Sequence, residues 1–288
     1  VARLSTGWLF AATDATHGFE LWRAGGTPET TEMGIDLLND RPGLLLAGVE
    51  SDGGELFFSA SAEYRELYEV IATDATAAGT SVLSEAPSFR CGLFSWNSAP
   101  ALYALPTALL IEEDECDVNR ILSWNRGSGE LTTLFGGREP PNAGYAAVRL
   151  RHRAEALVER VDESSGETQL WRTDGTWDGT RYLRPMPEPL QISSIQLAVQ
   201  GKALYSPSWP SPSLRALDLA TYEDREVTAF VSPSTPDYRI HPAGELGYFF
   251  VRRAGHFDEF GAPLELWRTT GSTPGTFLVA GLVGGYRW

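Results

Sequence analysis

Short apolar segments recur along the chain at nearly constant spacing. They open at Leu9, Leu56, Leu109, Leu157, Leu204 and Tyr248, so the intervals between them are 47, 53, 48, 47 and 44 residues. The segments are rich in β-branched and aromatic residues or alternate between apolar and polar ones, as β-strands do, and no apolar stripe follows the helical period. The pattern therefore predicts an all-β fold built from repeats.

A second marker occupies a fixed place later in each repeat. It reads Glu-Leu-Trp, or a close variant, at positions 20–22, 69–71, 169–171 and 265–267. The tryptophan position of this marker recurs after 49, 100 and 96 residues. The two long intervals imply further copies near Leu122 and near Leu217, so that six copies of about 48 residues fill the chain.

Each repeat contains four strand-like segments separated by polar turns. Four strands in about 40–50 residues are typical of propeller blades rather than of helical solenoids. We therefore predict one domain over 1–288, a six-bladed β-propeller of four-stranded antiparallel blades. The blades are predicted at 1–43, 44–92, 93–143, 144–191, 192–236 and 237–288. An incomplete seven-bladed ring is the alternative, because residues 282–288 read as the start of another copy.

The fourth copy carries the fullest form of the repeated motif, Gln-Leu-Trp-Arg-Thr-Asp-Gly-Thr-Trp-Asp-Gly-Thr at 169–180. The first copy adds the preceding loop and its marker, Thr-Asp-Ala-Thr-His-Gly-Phe-Glu-Leu-Trp at 13–22. These segments resemble the ELWxxDGT repeat of bacterial secreted and surface proteins. The resemblance implies a β-propeller, and it transfers no catalytic residue to this chain.

The motif residues are expected to serve the fold. Because the tryptophan position accepts isoleucine at Ile71, we expect it to require apolar volume between blades rather than contact with a ligand. The Asp-Gly-Thr turn suits its own backbone, since Asp and Thr bond neighbouring amides and Gly allows a positive φ. A calcium ion at Asp174 is the alternative interpretation of this turn.

The composition and net charge of the chain make some classes of binding partner unfavourable. The chain has 29 glycines and 18 prolines, which fits many tight turns between short strands. Its net charge of −15 opposes binding to phosphate backbones and anionic lipid, so we expect neither nucleic acid nor a membrane surface as a partner. No apolar run reaches the roughly 18 residues of a spanning helix, so we expect no membrane insertion. The sequence also lacks the signatures of phosphate-binding loops, zinc proteases, redox cysteine pairs and serine hydrolases.

The two cysteines, Cys91 and Cys116, point to a cellular compartment. Cys91 lies in the connection between the second and third copies, and Cys116 lies between the second and third strands of copy three. Both kinds of loop emerge on the same face of a propeller, so we predict a disulfide between these residues. A disulfide favours an oxidising compartment and hence a secreted or cell-surface location. Two free thiols are the alternative.

Two histidines occupy the same loop of the first and sixth copies, which become neighbours if the ring closes. These are His17 and His256, and together with Asp14 or Asp258 they form a candidate ligand-binding site, with a metal ion as one candidate ligand. The alternative is that His17 is a repeat residue that bonds a backbone carbonyl and that His256 has no role.

The most acidic stretch of the chain, 112–117, supplies a second candidate site. Glu112, Asp114 and Asp117 are candidate calcium ligands, and we expect no other cofactor. The glycine that bends an EF-hand loop is absent from this stretch, so a solvated acidic loop is the competing interpretation.

The remaining observations bear on function. Trp209 lies in a loop of small polar residues, and we expect it to be the most exposed aromatic side chain, as a platform for a sugar or a peptide. Packing of this side chain from the loop onto the core is the alternative. The predicted first strands at 44–49 and 193–199 are mostly apolar or hydroxylic, which argues against a catalytic centre in the channel. The sequence therefore favours a non-catalytic extracellular or cell-surface module that binds a protein or a carbohydrate. The alternative is a metal-dependent hydrolase or lyase with its site at one mouth of the central channel.

Overall fold

The described part of the chain consists almost entirely of β-strands. The computed structural model describes residues 2–4, 7–14, 16–35, 44–52, 54–62, 67–76, 78–87, 99–115, 118–136, 145–162, 164–186, 197–205, 213–229, 235–252 and 264–282. Strands fill most of these ranges, with two short 3₁₀ turns at Pro28–Thr30 and Thr273–Gly275. No helix within the described ranges is long and apolar enough to cross a membrane. The prediction of an all-β fold is confirmed.

The first half of the described chain forms three four-stranded sheets, with the strands in sequence order across each sheet. The first sheet contains β1 (Ala2–Leu4), β2 (Gly7–Asp14), β3 (Gly18–Ala24) and β4 (Thr31–Ile35); the second contains β5 (Leu44–Ser51), β6 (Leu56–Ala62), β7 (Leu67–Thr73) and β8 (Ser81–Pro87); the third contains β9 (Ala101–Ala104), β10 (Ala108–Glu115), β11 (Val118–Asn125) and β12 (Leu131–Phe135).

The second half repeats this arrangement in three further four-stranded sheets. The fourth sheet contains β13 (Ala146–His152), β14 (Glu155–Val161), β15 (Thr168–Thr173) and β16 (Arg181–Pro185); the fifth contains β17 (Leu197–Val199), β18 (Lys202–Tyr205), β19 (Ser213–Asp218) and β20 (Asp224–Ala229); the sixth contains β21 (Thr235–Ala243), β22 (Leu246–Arg252), β23 (Leu264–Thr269) and β24 (Phe277–Leu282). Neighbouring strands pair antiparallel throughout the first, second, third, fifth and sixth sheets.

The chain divides into two compact units, which are described separately. Unit 1 consists of Val1–Ala156, Asp162–Ser165 and Arg172–Arg181. Unit 2 consists of Leu157–Val161, Gly166–Trp171 and Tyr182–Trp288.

The sheets of unit 1 pack face to face, because strands of the second sheet bury side chains on both faces. Phe58 and Ile71 join an apolar cluster with Leu21 of the first sheet. Phe57 and Val70, one position earlier on the same strands, join a different cluster that includes Leu109 and Leu122 of the third sheet. Successive side chains of a strand point to opposite faces, which explains the unbroken apolar run at the start of β6.

The sheets of unit 2 show the same kind of packing. Leu204 and Leu214 of the fifth sheet share a buried cluster with Phe249 and Val251 of the sixth sheet. Trp267 packs against this cluster from the sixth sheet, and its ring stacks on Phe249 with the centroids 6.4 Å apart.

A β-bulge between the third and fourth strands of five sheets, with its extra residue on the fourth strand, locates the tryptophan position of the repeat. The register shifts directly before Trp22, Ile71, Leu122, Arg215 and Trp267. The position predicted near Leu122 in the third copy is confirmed. In the fifth copy, where a position near Leu217 is predicted, the bulge places it at Arg215, two residues earlier on the same strand.

A buried ion pair explains why the fifth copy has lost its apolar marker. The guanidinium of Arg215 donates from Nη2 to Asp224 Oδ2 at 2.7 Å, and the Asp224 side chain is only 2% exposed. Arg215 Nε also lies 3.3 Å from the hydroxyl of Tyr205, so that one side chain connects β18, β19 and β20. The charged side chain of Arg215 thus occupies the position that an apolar side chain fills in the other copies. The Glu-Leu-Trp pattern is therefore absent from the fifth copy.

Candidate functional site

Polar side chains on and beside the first strands of three sheets come together in unit 1. We call this group the first-strand cluster: Glu50, Tyr103, Glu112, Arg149 and Arg151. At one end of it, Arg151 Nη1 donates to Glu50 Oε2 at 2.7 Å and to the carbonyl of Ala104 at 2.9 Å. Glu50, Ala104 and Arg151 each lie at the end of a first strand. The arginine therefore connects the second, third and fourth sheets at the turns into their second strands.

Two further contacts extend the cluster along these strands. The Tyr103 hydroxyl donates to Glu112 Oε2 at 3.2 Å, and the same oxygen accepts the backbone N–H of Val148 at 2.9 Å. The guanidinium of Arg149 donates to the Tyr145 hydroxyl at 3.3 Å and lies 5.8 Å from the centre of that ring. Tyr103, Glu112 and Arg149 thus each have a hydrogen-bond partner within the protein.

The surroundings of the cluster set its protonation. Burial raises the pKa of Glu50 above its ordinary value, against the opposing effect of Arg151. Burial, together with the carboxylate of Glu112, raises the pKa of Tyr103 far above neutrality. Tyr103 therefore keeps its proton and acts as a hydrogen-bond donor rather than as a base.

The first-strand cluster contains positively charged guanidinium groups and negatively charged carboxylates, and hydrogen bonds hold its donors and acceptors in place. Arg151 is exposed, and Glu50, Tyr103, Glu112 and Arg149 are partly exposed. Fixed, partly solvated groups of this kind recognise polar ligands through hydrogen bonds and ion pairs.

The expectation that the first strands are mostly apolar or hydroxylic fits β9 of the third sheet but not β13 of the fourth sheet, which carries two arginines and a histidine. Tyr103 lies on β9, and Arg149 and Arg151 lie at alternate positions of β13. The segments on which the expectation rested, 44–49 and 193–199, belong to other copies, and Glu50 follows directly after the first of them. The alternating arginines of β13 were the available sequence signal for this cluster.

Of the predicted ligand-binding residues, the structure brings Asp14 and His17 together. Asp14 Oδ1 accepts the backbone N–H groups of Thr16 and His17 at 2.8 and 2.6 Å, and Asp14 Oδ2 lies 2.8 Å from His17 Nδ1. These hydrogen bonds, with the His17 side chain as the largest contributor, lower the pKa of Asp14 to about 2. This contact with a carboxylate fixes the side chain of His17 beside Asp14.

The remaining predicted site residues lie largely outside the described ranges. His256, Asp258, Trp209, Asp117, Cys91 and Cys116 are all outside them, and for Asp114 the backbone alone is described. The shared histidine site and the disulfide therefore remain predictions. Within the described ranges, the aromatic side chain with the largest exposed fraction is Trp177, at 59%, in the turn before β16.

The acidic stretch is a strand rather than a solvated loop up to Glu115. β10 runs through Glu115, and Glu113 pairs in register with Arg120 of β11. The Glu113 side chain is 5% exposed and forms an ion pair with the Arg120 guanidinium. Glu112 faces Tyr103 instead, so that neighbouring acids serve opposite faces of one strand. No group of three His, Cys, Asp or Glu side chains in the described part of the chain is placed to hold a metal ion.

The Asp-Gly-Thr turn is organised by its own side chains, as the sequence predicts. In the fourth copy, Asp174 Oδ1 accepts both the backbone N–H and the hydroxyl of Thr176, at 2.9 and 2.7 Å. Thr173 is fully buried, its hydroxyl is 2.7 Å from that of Thr180, and it accepts the N–H of Gly175 at 3.0 Å. The second copy repeats these bonds within 0.1 Å at residues 73–80.

The comparisons with known proteins support the fold and no more. No protein-family model matches the chain. No curated protein matches it either. Among solved structures it is similar to apo prolyl oligopeptidase B from Galerina marginata, with a TM-score of 0.60 and 14% identity, over 98% of this chain and 44% of that one. It is also similar to a puromycin-hydrolyzing peptidase from Mycobacterium tuberculosis, with a TM-score of 0.57 and 14% identity, over 97% of this chain and 43% of that one.

The chain thus spans less than half the length of these two peptidases. At 14% identity the similarity shows the fold alone. Together with the four-stranded antiparallel sheets, it defines an all-β, β-propeller-like architecture.

Proposed function

We propose that this chain is a six-bladed β-propeller that acts as a non-catalytic, exported binding module for a protein or a carbohydrate. Six sheets of four strands in sequence order support the blade count. Repeated apolar packing between consecutive sheets supports a radial arrangement, in which each sheet is one blade.

The observation that carries the binding function is the first-strand cluster. In a propeller the first strands line the central channel, so Glu50, Tyr103 and Arg151 would lie at or near one mouth. Arg151 donates to both Glu50 and the Ala104 carbonyl, which holds the guanidinium in one orientation. A rigid polar surface of this kind binds a ligand with little loss of side-chain entropy.

A metal-dependent hydrolase or lyase with its site at the same mouth is the second candidate. One observation favours it: burial raises the pKa of Glu50, and a carboxyl group with a raised pKa suits proton donation. The first-strand cluster also contains a second carboxylate, that of Glu112.

Binding by the full-length chain tests the proposal. The immobilised protein is exposed to arrays of purified extracellular proteins and of glycans, beside the variants Arg149→Ala and Arg151→Ala. Arg181→Ala serves as the matched control, since Arg181 is an exposed arginine at the start of β16. We expect both cluster variants to lose a ligand that the control retains.

Two results contradict this proposal. Equal binding by the original protein and its three variants would show that the first-strand cluster does not bind the ligand. A stoichiometric metal ion in the purified protein, together with turnover of a glycan or peptide that the Glu50→Gln variant lacks, would instead support the enzyme.

A further inference from the structure

Two aromatic side chains of the fourth sheet form a partly exposed pair in unit 2. The rings of Trp171 on β15 and Tyr182 on β16 have centroids 5.6 Å apart and planes inclined by 72°, an edge-to-face arrangement. Trp171 is partly exposed, and 46% of Tyr182 is accessible to solvent. Rigid aromatic rings of this kind offer contact area at a low cost in conformational entropy.

Polar side chains surround this pair. Trp171 Nε1 donates to Gln169 Oε1 at 3.1 Å, and Gln169 Nε2 donates to Glu167 Oε2 at 3.4 Å. On the neighbouring strand β14, the guanidinium of Arg160 lies 5.8 Å from the centre of the Trp171 ring. Gln169 and Arg160 are partly exposed, and Glu167 is exposed. An amide and a guanidinium therefore lie beside the Trp171 ring, and a carboxylate lies next to that amide.

The aromatic pair exceeds what the repeat requires for packing. At the same cross-strand position, Trp22 pairs with Met33, Ile71 with Val82, and Trp267 with Leu278. Aliphatic side chains thus fill the partner position in three other sheets. The tyrosine of the fourth sheet is a departure from this pattern, and its ring contacts Trp171, which carries the polar neighbours.

We propose that Arg160, Glu167, Gln169, Trp171 and Tyr182 form a binding site for a neutral carbohydrate, and we call this group the sugar platform. A sugar ring presents C–H groups on its face, which pack on aromatic rings, and hydroxyl groups at its edge, which both donate and accept hydrogen bonds. The polar side chains of the platform suit that edge, because the guanidinium of Arg160 donates hydrogen bonds, the carboxylate of Glu167 accepts them and the amide of Gln169 does both. The net charge of −15 opposes a polyanionic glycan, so the neutral class is favoured.

Isothermal titration calorimetry on the full chain tests the sugar platform, with cello-, xylo- and chito-oligosaccharides as neutral probes and oligogalacturonate as the anionic probe. We expect at least one neutral probe to bind, and Tyr182→Ala to weaken that binding about tenfold, whereas Tyr182→Phe retains the ring and most of the affinity. Arg160→Ala is expected to weaken binding as well, through the lost edge contacts. Because Tyr182 is half-exposed, its replacement leaves the fold intact, which circular dichroism verifies.

Phe277→Ala is the matched control. Phe277 is 43% exposed on β24, and the guanidinium of Arg268 lies 4.4 Å from the centre of its ring, but its cross-strand neighbour is Arg268 rather than a second aromatic residue. We expect this variant to bind like the original protein. Equal binding by Tyr182→Ala would overturn the sugar platform while leaving the proposed binding function intact. Binding of oligogalacturonate alone, or of no probe, would overturn the assignment of a neutral sugar to this site. Cleavage of a bound probe would instead contradict the proposal that the protein is non-catalytic.

Discussion

The hydroxyl of Ser123 donates a hydrogen bond of 2.5 Å to the backbone carbonyl of Gly175. This bond joins β11 of the third sheet to the Asp-Gly-Thr turn of the fourth sheet, and Thr107 adds a second bond, to the Asp174 carbonyl at 3.3 Å. The residue equivalent to Gly175, the second of the turn, packs on the preceding sheet in two other copies, at Ala75 and at Gly271. The turn of the repeat thus fastens one sheet to the sheet before it.

The first prediction follows from this contact. Gly175 has a φ of 90°, and a Cβ atom added there would overlap the side chain of Ala108. Gly175→Ala is therefore expected to lower the free energy of unfolding by about 2–4 kcal/mol, from overpacking and from the left-handed backbone together.

The matched control for that variant is Gly26→Ala. Gly26 holds the same place in the first copy with a φ of 108°, and an added Cβ meets no described atom within 4 Å. Gly26→Ala is therefore expected to lower the free energy of unfolding only through the unfavourable positive φ, by about 1 kcal/mol. Urea denaturation measures both losses, and equal losses would contradict a clamping role for the turn.

The second prediction concerns the Glu50–Arg151 pair. The two side chains are 25% and 38% exposed, so solvent screens their attraction, and a double-mutant cycle with Glu50→Gln and Arg151→Ala should give a coupling of about 0.5–1 kcal/mol. Because Arg151 opposes the effect of burial, Arg151→Ala should raise the pKa of Glu50 further, which NMR titration detects. A coupling of zero with an unchanged pKa would mean that the contact does not persist in solution.

The third prediction concerns acid stability and the Asp14–His17 contact. The pKa of Asp14 is lowered from 3.8 to about 2, chiefly by the His17 side chain, so the folded state favours the ionised carboxylate. This contribution is present above the unfolded pKa and is lost as the pH falls from about 4 towards 2. Asp14→Asn should remove that part of the pH dependence of unfolding, and His17→Ala should reduce it. Profiles parallel to that of the original protein would show that the pair contributes nothing.

The fourth prediction is the disulfide between Cys91 and Cys116, expected from their loop positions in the repeat. Protein made in an oxidising compartment should show no free thiol when titrated under denaturing, non-reducing conditions. Bridging requires Cα atoms within about 7 Å, so the result also tests the phasing of the second and third copies. Two free thiols would remove both the bridge and the main argument for export.

The sequence predicted the strands well because their signals are local and repeated. The apolar run that begins at Leu56 and the apolar residues around Ile71 are buried on two faces of one sheet. An unbroken series of apolar residues in the sequence indicates this burial without any knowledge of distant contacts. In the fifth copy the marker position falls at Arg215, two residues before Leu217, because an ion pair between Arg215 and Asp224 takes the place of the apolar marker.

The candidate sites were harder to predict, because they depend on contacts between distant residues. Glu50 and Arg151 are 101 positions apart, and neither belongs to a recognisable motif. The sugar platform had a local signal, since Trp171 and Tyr182 belong to one copy, but the contact between their rings depends on how β15 and β16 lie beside each other. By contrast, the Asp14–His17 contact lies within four residues, and sequence reasoning did place those two residues in one candidate site.

A crystal structure of the full chain is the most direct test of the six-bladed propeller. If the ring closes with six blades, the crystal structure should show the sheet of β1–β4 beside the sheet of β21–β24. An open gap between those two sheets, or a further blade begun by residues 282–288, would contradict the closed six-bladed ring.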